Sequence, residues 1–128
     1  MHFLGGNMHK FLLKTALIVT LAIPTLASAE SWKRIKSEAD FRAMAVDRKS
    51  TNQNGWVTVK SNGSMTGNIK GQGKLQGRWA WGNGFFCRNA KVGKTDLGQN
   101  CQVVHVSGNQ IRFTRDQGKG QASVWTMQ

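Results

Sequence analysis

The chain has 128 residues, carries 18 Lys and Arg against six Asp and Glu, and reaches a formal net charge of +12. That length allows one domain beside a targeting segment, and excludes a Rossmann domain coupled to a separate catalytic domain. Five Trp and six Phe supply apolar mass for a core, so the charge does not imply disorder.

Lys10 and Lys14 precede an apolar run, Thr15 to Ile23, which Pro24 closes and Ala27-Ser28-Ala29 follows. A basic start, a short apolar core and a small-x-small end make up a secretory signal, with cleavage expected after Ala29. The apolar run is shorter than the roughly 20 residues a membrane span needs, and no Cys stands at the cut. Met8 offers a second start, which would leave Met1 to Asn7 as an upstream extension. The expected organisation is therefore a signal peptide over 1–29 and a single basic β-domain over 30–128, working in the periplasm or outside the cell. Removing 29 of 128 residues leaves 99, with 16 of the 18 basic residues and all six acids, a net charge of +10.

Ser37 followed by Glu38 and Asp40 predicts a helix start, because Ser caps a free N–H and acids suit the first turn. Phe41, Met44, Ala45 and Arg48 then follow at helical spacing, so a helix is expected over about 37–48, docking through Phe41 and Met44. Residues 49–55 are polar and read as a turn. Beyond them come seven short strands: 56–60, 65–69, 74–81, 85–89, 101–106, 110–115 and 122–127. Ser61-Asn62-Gly63-Ser64, Gly71-Gln72-Gly73, Gly82-Asn83-Gly84, Ser107-Gly108-Asn109 and the Gly118 region supply the turns. Residues 91–100 read as a looser loop. In strand 74–81, Leu75, Gly77, Trp79 and Trp81 share one face, opposite Lys74, Gln76 and Arg78. No helical stretches separate the strands, which argues against a parallel sheet. An antiparallel meander of this kind closes its edges as a small barrel or sandwich, of calycin-like type by fold analogy.

The two cysteines, Cys87 and Cys101, lack CxxC spacing, and in an oxidising compartment they are expected to form a structural disulfide. The closed loop of 15 residues corresponds to about 3 kcal/mol in the chain-entropy description.

Gly77-x-Trp79-x-Trp81, then Gly82, Phe86-Cys87, and Asp96-Leu97-Gly98-x-x-Cys101-Gln102 form a pattern that resembles a family of small exported bacterial proteins. Members often carry the automatic name dihydrodipicolinate reductase-like protein, and the resemblance runs from about Phe41 to Trp125. It implies export and a small domain but no established activity. The residues do not support a reductase. Gly71, Gly73 and Gly77 are spaced G-x-G-x-x-x-G rather than G-x-G-x-x-G, and the following segment alternates as a strand instead of opening a helix.

Catalytic and metal chemistry have little material. His105 is the one histidine after Ala29, it sits between Val104 and Val106, and it reads as a structural strand residue. Neither a G-x-S-x-G elbow nor a converging ligand set is present, so neither catalytic residues, a metal nor a cofactor is assigned. A charge of +10 exceeds the roughly 2–8 that solubility asks of a small domain. It points to a non-catalytic binding module that contacts polyanions: lipopolysaccharide, phospholipid, acidic polysaccharide or nucleic acid. Arg78, Arg88, Arg112 and Arg115 are the candidate anion contacts, since guanidinium binds phosphate bidentately. Trp56 and Trp81, near strand ends, are the candidate aromatic contacts. Two alternatives stand beside this reading: a protein-interaction barrel, inhibitor or assembly factor, for an acidic partner, and a barrel that encloses a small ligand.

Overall fold

The structure is a computed structural model that describes residues 15–22 and 31–128. Ala29 and the expected cleavage site lie outside the described residues. Nine strands and one helix follow in the order β1 (Lys33–Ile35), α1 (Glu38–Ala45), β2 (Lys49–Asn52), β3 (Gly55–Val59), β4 (Ser64–Ile69), β5 (Gly73–Gly82), β6 (Phe85–Val92), β7 (Thr95–Ser107), β8 (Gln110–Thr114) and β9 (Ala122–Met127). Strands β2 to β9 form a closed, antiparallel eight-stranded barrel, sealed by the β2–β9 and β7–β8 pairings. β1 is an extra strand. It pairs with β7 at Val104 to Val106, just beyond the point where β6 leaves β7 at Phe86 opposite Gln102.

The predicted turns close the hairpins as their chemistry requires. Asn83 and Gly84 both adopt positive φ, the geometry of a two-residue hairpin turn. At Gly67 and Gly77 the strands approach so closely that a Cβ would run into the carbonyls of Trp56 and Asn89, so these positions let the sheet curl.

Three local expectations are corrected. The helix stops at Ala45 rather than near Arg48, because Asp47 turns to positive φ and its N–H donates to the Val59 carbonyl at 2.8 Å. Residues 49–52 are a strand, not a turn. Their intrinsic preference for a strand is weak, but without them β3 and β9 would present open edges, and pairing wins. The true turn is at Gln53-Asn54, where the Asn54 N–H donates to Asn52 Oδ1 at 2.8 Å. Residues 91–100 are not a loop either: β6 and β7 continue into a hairpin turning at Gly93-Lys94, with the register shifting between Ala90 and Lys91. The shift leaves Leu97 as the extra residue of a bulge.

Cys87 and Cys101 are bonded and stand directly opposite each other on β6 and β7. The disulfide thus clamps the hairpin whose register the bulge loosens.

Because the strands run up and down, the β3–β4, β5–β6 and β7–β8 turns gather at one end of the barrel. The helix plugs that end. Phe41 is fully buried, and its ring lies 5.3 Å from Trp79, 5.2 Å from Trp81, 5.3 Å from Phe86 and 6.5 Å from Phe113, centroid to centroid. The Trp79 indole N–H donates to the Lys60 carbonyl at 2.7 Å, so the ring's polar edge is satisfied as well. Among the described residues no helix is long and apolar enough to cross a membrane.

Candidate ligand site

Strand alternation decides what the barrel interior holds. On β6 the inward positions are Phe86, Arg88, Ala90 and Val92, all buried. On β7 and β8 they include Gln102, Val104, Ile111 and Phe113. The stripe is apolar except at Arg88 and Gln102, which are only 8% and 6% exposed.

Above the helical plug the interior is not filled. A cavity of about 450 Å³ runs toward the opposite end, where the β2–β3, β4–β5, β6–β7 and β8–β9 connections lie. Its walls are apolar, with Val57, Met65, Leu75, Leu97, Phe113 and Trp125 among them. Its rim is polar, with Asn54, Gln72, Gln121 and Ser123. The bulge at Leu97 has a consequence here, since it delivers an extra apolar side chain to the wall.

Arg88 reaches into this cavity. Its Nη1 donates to the Gly98 carbonyl at 2.9 Å, and among the described residues no carboxylate comes within salt-bridge distance of it. Arg115, from the β8–β9 connection, lines the same cavity. Burial lowers the Arg88 pKa, and the neighbouring Arg115 charge lowers it further. A buried guanidinium, Arg88, and an exposed one, Arg115, therefore border the same partly apolar cavity.

The four predicted anion contacts do not lie on one face. Arg88 is buried in the interior cavity, and Arg115 lines it while remaining exposed. Arg78 is exposed on the outside of β5, beside Gly63. Arg112 is on the outside of β8, with its guanidinium 4.5 Å above the Trp32 ring. There it belongs to a second cluster, in which Arg34, His105 and Arg112 stand side by side across β1, β7 and β8. Arg34 in turn lies 5.5 Å from the Phe85 ring centroid. His105 keeps the strand role expected of it, but its Nδ1 is buried without a hydrogen-bond partner. Burial lowers its pKa first, then the charges of Arg112 and Arg34.

The aromatic candidates separate too. Trp56 is half-buried on the outer surface under the Lys49 ammonium, 4.9 Å away, and borders a shallow cleft of about 330 Å³ with Asn68, Lys74 and Gln76. Trp81 stacks on Phe41 and closes the plugged end, so its ring packs against the core. The aromatic that does line the cavity is Trp125, together with Phe86 and Phe113. Among the described residues no group of three or more His, Cys, Asp or Glu is placed to hold a metal.

No family model matches the chain, and neither a curated protein nor a solved structure matches it.

Proposed function

We propose that this chain is an exported binding barrel that holds a small, mainly apolar ligand in its interior. The observation that supports this reading is the cavity of about 450 Å³ between the Phe41 plug and the polar rim, a volume within the range of small-molecule sites. A domain that needed the barrel only as a scaffold would gain by filling it, since an unfilled apolar interior forfeits packing energy. The N-terminal pattern and the disulfide support work outside the cytoplasm, in the periplasm or beyond the cell. The test is titration of the purified, oxidised protein with the neutral fluorophore N-phenyl-1-naphthylamine. Saturable binding with one probe per chain is expected, weakened by Leu75→Trp, which would fill the cavity. An absence of saturable binding rejects the reading.

A second reading, contact with anionic envelope components through the outer face, is favoured by one specific observation. The Arg34–His105–Arg112 row carries no paired carboxylate among the described residues, and Trp32 and Phe85 support its guanidinium planes. Binding to anionic vesicles, lipopolysaccharide and single-stranded DNA across a salt series tests it. Affinity should fall steeply with salt, and Arg34→Gln with Arg112→Gln should reduce it. Binding that ignores salt or these substitutions speaks against it.

A further inference from the structure

The cavity contains a charge that the barrel itself does not neutralise. Arg88 occupies an inward position between Phe86 and Ala90, where strand alternation calls for an apolar residue. A guanidinium has five N–H donors in a planar fork. Here one nitrogen donates to a backbone carbonyl, and none meets a carboxylate among the described residues. Arg115, itself exposed, adds a second positive charge at the cavity's edge, and Gln102 adds a buried amide. Removing an ion from water costs several kcal/mol unless an opposite charge compensates. Each acid among residues 31–128 is exposed, and none of them pairs with Arg88, so an anionic ligand could supply the compensation.

We propose that the interior ligand is a single-chain amphiphile with an anionic carboxylate head, held by Arg88 with help from Arg115 and Gln102, and with its chain lying along the apolar wall. This rests on the reading of the cavity as a ligand site and adds the chemical class. The planar fork of Arg88 matches the two oxygens of a carboxylate. The apolar wall offers Val57, Leu75, Val92, Leu97 and Trp125 to a hydrocarbon chain but no further buried donors to a polar body. The volume sets the length. At about 30 Å³ for each water-sized group, 450 Å³ holds on the order of 15 such groups. Three belong to the carboxylate, so a chain of roughly eight to twelve carbons fills the space. Longer acids would have to protrude past the polar rim of Asn54, Gln72 and Gln121.

The net positive charge acquires a role in this arrangement. A field of this sign draws anionic amphiphiles toward the barrel and raises their encounter rate, whichever surface they leave.

The experiment is displacement of N-phenyl-1-naphthylamine from the oxidised protein by decanoate, decanol, decyl phosphate and hexadecanoate, below the critical micelle concentration of each. Decanoate should displace the probe at a concentration at least about tenfold lower than decanol does. In Arg88→Met and Arg88→Gln the decanoate-to-decanol ratio should fall to near unity while the probe still binds. Lys91→Gln, on the outer face of β6, should leave the ratio unchanged. Hexadecanoate should gain nothing over decanoate despite its greater hydrophobicity. Equal displacement by decanoate and decanol in the unsubstituted protein overturns the anionic head while leaving the cavity as a site for neutral ligands. Preference for decyl phosphate over decanoate replaces the carboxylate with a phosphate ester and overturns the class as stated. A protein that binds neither the probe nor decanoate, with decanoate checked directly by calorimetry, removes both the class and the site.

Discussion

Replacing Arg88 by Met should make the empty protein more stable. Arg88 is 8% exposed, faces an apolar cavity, lies near Arg115 and has no carboxylate partner among the described residues. What the substitution removes is one charge-assisted hydrogen bond, from Nη1 to the Gly98 carbonyl at 2.9 Å. Such bonds are worth about 1.5–3 kcal/mol, but Gly98 is exposed and its carbonyl can take a water instead, which recovers part of that loss. What it relieves is larger. Desolvation costs several kcal/mol per buried ion, and apolar replacements of buried ionic groups stabilise by up to about 1–4 kcal/mol. Met has a similar length and packs flexibly against Phe86 and Phe113. The net expectation is a gain of about 1–2 kcal/mol, and each kcal/mol moves the Tm of a domain of about 100 residues by roughly 4–8 °C. Thermal unfolding followed by near-ultraviolet circular dichroism, with the disulfide intact, measures it. Adding decanoate should narrow or reverse the gap, because the ligand stabilises only the chain that binds it. A Tm that falls by several degrees in Arg88→Met would instead show Arg88 to be a structural clamp on Gly98 and not an uncompensated charge.

Other consequences follow from the same structure. Phe41→Ala removes a fully buried ring that touches four other aromatics, and should cost about 3–5 kcal/mol in chemical denaturation. Reducing the Cys87–Cys101 disulfide closes no cavity and breaks no core contact, yet it should cost about 3 kcal/mol, read as a lower urea midpoint with an altered slope. His105 should make stability depend on pH. Burial and the Arg112 and Arg34 charges place its folded pKa below the reference value of 6.5. Between those two values the unfolded chain binds a proton that the folded chain refuses. Stability is therefore complete above about pH 6.5 and declines as the pH falls through that window. His105→Gln should flatten the decline, and an unchanged pH profile would count against the row of cations.

Much of the architecture could be read from the sequence. Ser37, Glu38, Asp40 and Phe41 mark the helix, and Gly82-Asn83-Gly84 marks a hairpin, because caps and positive-φ turns are local chemistry written in a few residue types. The disulfide is legible for a similar reason, since two Cys in a small β-domain leave few alternatives. Strand β2 was not legible. Lys49-Ser50-Thr51-Asn52 becomes a strand only because β3 and β9 need a partner between them, which is a property of the closed barrel and not of the segment. The turn at Gly93-Lys94 was hidden in the same way, behind a bulge that interrupts alternation around Leu97.

The candidate site was half legible. Arg88 belongs among the basic residues that a charge count brings forward, but the count alone cannot separate an inward guanidinium from an outward one. Alternation can. Arg88 is two residues from Phe86 and two from Ala90, so a strand that buries Phe86 buries Arg88 with it. An inward Phe85 would point Arg88 outward; in the structure Phe86 is the buried member, while Phe85 lies on the other face under Arg34. One position of register thus separates a basic surface from a charged cavity. Trp125 and Leu97 had no local signal at all, because their contribution depends on where β9 and the bulge meet the barrel mouth.

The most direct test of the interior site is a nuclear magnetic resonance titration of the labelled, oxidised protein with decanoate, observing arginine Nε–Hε groups and methyl groups together. Saturable shifts are expected at Arg88 and at the methyls of Val57, Leu75, Val92 and Leu97, with Arg34 and Arg112 unmoved. Shifts concentrated at Arg34 and Arg112, with the interior methyls silent, would rule out the interior site and place anion recognition on the outer face.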